Sequence, residues 1–208
     1  LFYSAVLMLL LDRRRAALAL VCLTWWAHPF TGVQLCLIAM VYLACEAAVR
    51  RDRRFARAAA AALAINALFL GYYFIFLGRF EEHRMVAEQM RRIEATPMLF
   101  DMWLPAWGLL PVLTLLAWTR PAIRRAWYRR PAERLMTVWL IVSFALVYHY
   151  LLPVQPTQPM HFTRGHIFFP LVYFSSLLVR DVWRRLRPRT PRLADTFIYF
   201  AWLDRITV

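Results

Sequence analysis

The sequence contains no lysine: all 26 of its basic residues are arginine, set against 12 acids and five histidines. A GC-rich genome produces that bias by itself, so no function follows from it. Cysteine is equally sparse. Cys22, Cys36 and Cys45 all fall inside apolar runs, which argues against a disulfide framework or a cysteine metal site and for small buried hydrophobes. HExxH is absent, and so are a fixed-period repeat, a low-complexity linker and a basic–apolar–small secretory leader. The first residue, Leu1, already lies in an apolar run, and Val208 follows soon after another begins. The chain therefore reads as a piece of a longer protein, with residues 1–208 as a single transmembrane domain.

What it has in abundance is apolar length. Of 208 residues, 62% are hydrophobic and 16% aromatic. The apolar runs cover residues 1–11, 16–30, 31–49, 58–78, 102–119, 135–152 and 167–179. Runs approaching about 20 residues, parted by arginine clusters, mark an all-α polytopic membrane bundle of about seven spans. A soluble domain of this size has no need of them.

The net charge of +14 would also suit nucleic acid, but the arginines sit in short turns and do not share one soluble face. They follow the positive-inside pattern instead, and no nucleic-acid partner is expected. Residues 12–15 carry +2, residues 50–57 +4, residues 120–134 +5 and residues 180–192 +5. These are every second turn, which assigns them to the cytoplasm. The alternate turns, 28–32, 79–101 and 153–166, carry zero, −1 and +1. This sorting puts 20 of the 26 arginines inside and all of His28, His83, His149, His161 and His166 on or near the outer side.

Three outer elements merit attention. At "TWWAHPFTGVQ" the chain turns with no residues to spare, and Thr31-Gly-Val-Gln34 has the form of a capping box whose helix points its positive end outward. His28 there is a donor to an anion, or else Pro29 and Gly32 simply make the bend of a helical hairpin. Trp25 and Trp26 suit the headgroup belt. The segment "RFEEHRMVAEQMRRIEATP" predicts an amphipathic surface helix at about 80–95. Phe80, Val86, Met90 and Ile93 share one side, and Glu81, Glu82, Glu88, Arg91 and Glu94 are more exposed. Pro97 ends it and Asp101 stands before the next span, where carboxylates are either bases or a solvated face.

The third element, "PVQPTQPMHFTRGHIFFPL", is kept extended by its prolines and delivers His161, Arg164 and His166 to the mouth of a span. Arg164 can grip a phosphate with two hydrogen bonds or anchor the helix at the interface. His161 and His166 are five apart, not the spacing of a helical metal pair, so no metal site is assigned. A divalent ion held by His28, His161, His166 and a carboxylate remains a cofactor possibility only. Glu46, the one acid within a span, pairs with Arg50 one turn later at the cytoplasmic end and reads as an ion pair, not a proton relay.

The run "TRGHIFFPLVYFSSLLV", with Arg164, Phe168, Phe169 and Pro170, resembles an element of C-type (GT-C) membrane glycosyltransferases. There an arginine closing an outer loop leads into a proline-containing span. The "HPFTG" turn and the surface helix are similar to features of bacterial members, and the resemblance covers the middle and rear of such a protein. It implies a sugar transferase of the bacterial plasma membrane that uses a polyprenyl-phosphate donor at the outer face. Arg164 would contact the donor phosphate, with His28, His161 and His166 lining the pocket and Asp101 or His28 as candidate catalytic groups. The family's acidic residues in an early outer loop have no counterpart here and would have to precede Leu1. Two other functions fit the same spans: a transporter or flippase for an anionic lipid or solute, and a membrane scaffold without catalysis.

Overall fold

The computed structural model describes residues 1–94, 102–149, 162 and 166–186. Among these, all regular structure is helical, in ten α-helices: α1 Phe2–Leu10, α2 Arg14–Ala27, α3 Pro29–Arg50, α4 Arg53–Leu70, α5 Glu81–Glu94, α6 Trp103–Trp107, α7 Leu110–Trp118, α8 Pro121–Arg129, α9 Pro131–Val147 and α10 Phe168–Leu186. The chain continues from α4 through a π-helical stretch, Gly71–Phe76, and a 3-10 turn, Leu77–Arg79, before α5.

The turns have local causes. Three helices, α3, α8 and α9, start with proline just inside the first turn, and each follows an extended residue: His28, Arg120 and Arg130. Proline lacks only an N–H that the first turn leaves unpaired, and its ring forces the preceding residue out of the helical region. The turn between α3 and α4 uses a left-handed Arg51 (φ 54°) and then Asp52, whose carboxylate accepts from Arg54 N at 2.8 Å as the N-cap.

Among the described residues, two helices are long and apolar enough to cross a membrane by length and composition, Pro29–Arg50 and the continuous stretch Arg53–Arg79. That is fewer than the about seven spans expected from apolar runs, and the runs show why. Helix α1 has nine residues and α2 fourteen. The run at 102–119 is broken at Gly108 (φ 59°) into α6 and α7, of five and nine residues. Helix α9 stops at seventeen residues, and α10 carries Arg180, Asp181, Arg184 and Arg185 in its last turns. An apolar run is thus not always one helix.

Helix α3 is the centre, packed by α1, α2, α4 and α9, and α10 packs on α7 and α9. The two sides of Gly108 have different partners. On α6, Trp103 and Trp107 lie with ring centroids 5.4 Å from Phe144 of α9, and Trp103 donates to the Tyr148 hydroxyl. On α7, Thr114 donates to Leu171 O (3.2 Å) and Leu110 O accepts from Ser175 (3.3 Å), both on α10.

Side-chain contacts gather the four basic turns at one end. Asp12 pairs with Arg14 (3.1 Å) and reaches Arg50 (4.0 Å), and both guanidinium groups sit over the Phe55 ring at 4.5 and 4.8 Å. Glu46, fully buried, meets Arg134 Nε at 2.5 Å through Oε1. Its Oε2 lies 2.5 Å from Arg50 Nε, close enough for an ion pair but too poorly aligned for a hydrogen bond. Arg120 and Arg185 both approach Asp181, at 3.8 and 3.0 Å. The alternation of charge along the sequence is therefore an arrangement in space.

Candidate functional site

At the opposite end lies His28. Its backbone is extended (φ −160°, ψ 104°), as a residue before proline must be, and this makes it the N-cap of α3. Its Nδ1 accepts from Thr31 N at 3.3 Å and sits 3.1 Å from the Thr31 hydroxyl. With Nδ1 as acceptor, the neutral ring carries its proton on Nε2. The expected capping box is corrected here. Thr31 is the third helical residue, because Pro29 starts the helix two residues earlier, and Gln34 does not reach back to a cap. It is buried and donates to Ser143 Oγ of α9 at 2.8 Å.

Around His28 the helix ends bring aromatic rings and imidazoles together. His28 neighbours Phe30 (6.2 Å between centroids), Phe30 packs edge-on against the buried Phe162 (6.0 Å), and Phe162 meets His149 edge-on (6.3 Å). His149 Nδ1 lies 2.6 Å from the Leu146 carbonyl, a contact in which the ring donates. His166 stacks on Phe2 at 4.1 Å, 19° from parallel. Farther round, His83 lies 6.5 Å from Tyr73, which neighbours Trp25. Four histidines from separate parts of the chain thus share the end opposite the four basic turns.

His166 is the group whose titration this packing alters. Burial pushes its pKa below the ordinary 6.5, and the neighbouring charge of His28 pushes it the same way. Folding therefore favours the neutral ring. The stability this group contributes is complete above its ordinary value and is lost as pH falls from there towards the lowered folded value. The unfolding temperature of the detergent-solubilised chain should drop between about pH 7.5 and about pH 5.5, and His166→Asn should make that drop smaller. An equal drop in the variant would assign the acid sensitivity to other groups.

Of the sequence-predicted site residues, the structure brings His28 and His166 into electrostatic reach of each other. Asp101, His161 and Arg164 lie outside the described residues. Among the described residues, no three His, Cys, Asp or Glu side chains converge on a point where a metal ion could be held. A helix is present at the expected place as α5, with Met85 and Val86 exposed, and Phe80 just before it is half exposed and packs edge-on against Phe76 at 5.6 Å. Of the cysteines, Cys36 is buried and donates to Ala62 O at 3.1 Å, while Cys22 and Cys45 are partly buried and free.

Sequence reading missed three polar groups at the α3–α9 contact: Arg134, Ser143 and the inward role of Gln34. Arg134 is 2% exposed. Besides Glu46, it donates through Nη1 to the carbonyls of Trp127 (2.9 Å) and Tyr128 (3.0 Å), which the end of α8 leaves without helical partners. One signal was present: Pro131 starts a helix, so Arg134 belongs to the first turn of α9 and not to the preceding turn. No protein-family model, curated protein or solved structure matches the chain.

Proposed function

We propose that this chain is part of a multi-span membrane protein that transfers a sugar from a polyprenyl-phosphate donor at the outer face of a bacterial plasma membrane. The observation that carries this reading is the gathering of His28, His83, His149 and His166 at the end opposite the four basic turns. The membrane part is supported by the exposure of large apolar side chains along the helices. On the α4 stretch, Leu63, Leu68, Phe74 and Ile75 are all more than half exposed, the surface a lipid phase would cover. The arginine-rich turns are then cytoplasmic and the histidine end faces out. Local bilayer thinning and snorkelling of the flanking arginines let the shorter helices serve among the about seven spans of the sequence reading.

In this reading an acceptor hydroxyl attacks the anomeric carbon of the sugar as a base takes its proton, and polyprenyl phosphate leaves. Arg164 and His28 hold the phosphate as its charge grows, with His161 and His166 lining the same pocket and Asp101 as the candidate base. A divalent ion would serve the same phosphate.

The test is donor binding by the full chain in vesicles, comparing the native sequence with His28→Asn/Arg164→Gln. Asparagine preserves the N-cap of α3, so the double variant keeps its fold. Loss of two charge-assisted contacts should weaken binding of a polyprenyl-phosphate sugar by about a hundredfold. Unchanged binding in the folded variant overturns the proposal and leaves a protein whose outer histidines only pack.

A further inference from the structure

Four aromatic side chains wall one hollow that the outer-face chemistry does not use. Trp118 at the end of α7, Trp127 and Tyr128 on α8 and Phe174 on α10 surround a space of about 360 Å³ near the basic turns. That volume is within the range of small-ligand sites, and so is a lining of rings with a few polar groups. The rings form two edge-to-face pairs, Trp118 with Phe174 (5.6 Å) and Trp127 with Tyr128 (4.9 Å). Tyr128 and Ile141, 68% and 59% exposed, mark the mouth, whereas Phe174 and Glu133 are buried at the floor.

The charged groups of the hollow are Glu133 and Arg124. Glu133 Oε1 meets Arg130 at 3.4 Å and Tyr173 is a further neighbour, but Oε2 accepts no hydrogen bond among the described residues. Trp118 Nε1 is likewise buried and donates to nothing among them. One wall group thus lacks a donor and another lacks an acceptor, a state that buried polar atoms rarely keep. Arg124 stands at the mouth, exposed and one turn from Tyr128, and pairs with no carboxylate among the described residues.

These groups decide the kind of ligand. A purely apolar molecule would leave Oε2 and the indole N–H unpaired. An anion alone would set its charge against Glu133, and a cation alone would set its charge against Arg124. A zwitterion suits both, because aromatic faces and a carboxylate attract an ammonium while an arginine grips a phosphate. Arg130, on the other oxygen of Glu133, is 65% exposed, so water screens its repulsion. Oε2 calls for an N–H donor, which a primary ammonium has and a trimethylated one lacks. We propose that this hollow binds the head of a phospholipid carrying a primary ammonium, as phosphatidylethanolamine does, with the ammonium at Glu133, the phosphate at Arg124 and the acyl chains left in the bilayer. The inference rests on the membrane placement proposed above but not on sugar transfer.

The experiment uses the full chain purified in neutral detergent, with binding read as a thermal-stability titration. The probes are a short-chain phosphatidylethanolamine, the matching phosphatidylcholine and phosphatidylglycerol, and free phosphoethanolamine. Phosphatidylethanolamine should stabilise at a concentration at least about tenfold lower than either other lipid. Glu133→Gln should close the gap between phosphatidylethanolamine and phosphatidylcholine. Arg124→Gln should weaken both by about tenfold and keep the gap, since both carry the phosphate. Arg57→Gln removes the same charge from an exposed position of another basic turn and should change neither.

Equal losses in Arg124→Gln and Arg57→Gln would mean general surface charge and would overturn the site. Because Arg124 is exposed, that comparison stands even where Glu133→Gln does not fold. Stabilisation by free phosphoethanolamine as strong as that by the lipid would overturn the lipid as ligand. A chain that requires detergent yet treats all three lipids alike overturns this site alone, whereas a chain soluble without detergent overturns the membrane placement as well.

Discussion

Arg134→Ala is expected to destabilise the protein by about 3–5 kcal/mol, the loss seen when one partner of a buried ion pair is removed. The size follows from what stays behind. Glu46 is fully buried, and its Oε1 would lose the one well-aligned donor it has among the described residues. Arg50 remains 2.5 Å from Oε2 but is misaligned and partly exposed, so it compensates incompletely. The end of α8 would also lose a donor to the carbonyls of Trp127 and Tyr128. Glu46→Leu/Arg134→Met should recover most of the loss, because it removes the stranded charge with its partner. It should not recover all of it, since methionine cannot serve those carbonyls. Chemical unfolding of the detergent-solubilised chain measures both. A single variant within about 1 kcal/mol of the native sequence would mean that water or a lipid group reaches Glu46.

Gly32→Val should cost about 3 kcal/mol, the upper part of the range for overpacking. A Cβ on Gly32 would lie 2.7 Å from both Cα and Cγ of Trp25, and a backbone atom cannot swing aside as the end of a side chain does. Trp25 in turn is stacked on Phe69 at 5.1 Å, 6° from parallel, so pushing it displaces α4 as well as α2. Gly71→Val is the control. That position has nothing within 4 Å of an added Cβ, and the change should cost less than about 1 kcal/mol. If the two variants unfold alike, the close approach of α2 and α3 is not what Gly32 provides.

The sequence made the distribution of charge legible because the rule behind it is a count along the chain. Four arginine-rich turns alternate with three near-neutral ones, and the same four meet through Asp12–Arg50, Glu46–Arg134 and Arg120–Asp181. The surface helix was legible for a similar reason, since its apolar and acidic residues repeat at helical spacing. Pairings between distant residues were not. Pro131 marks Arg134 as helical, but nothing local names its partner, which is 88 positions away. The capping box at Thr31 failed because a stronger local rule, proline at the start of a helix, moved the cap to His28 and turned Gln34 inward. Gly32 read as a bend, yet it lies within a helix and is small because another backbone passes beside it. Hydrophobic runs overstated the number of long apolar helices because they cannot register a break such as Gly108 within a run.

That break has a mechanical consequence. The residues before Gly108 are fastened by aromatic rings to α9, and those after it are fastened by hydroxyl–carbonyl bonds to α10. A sliding of α9 past α10 would pull α6 and α7 in different directions, and the one residue between them with a left-handed φ and open space around it is a glycine. Gly108 is where such a strain would fall, because any other residue there would have to hold a positive φ.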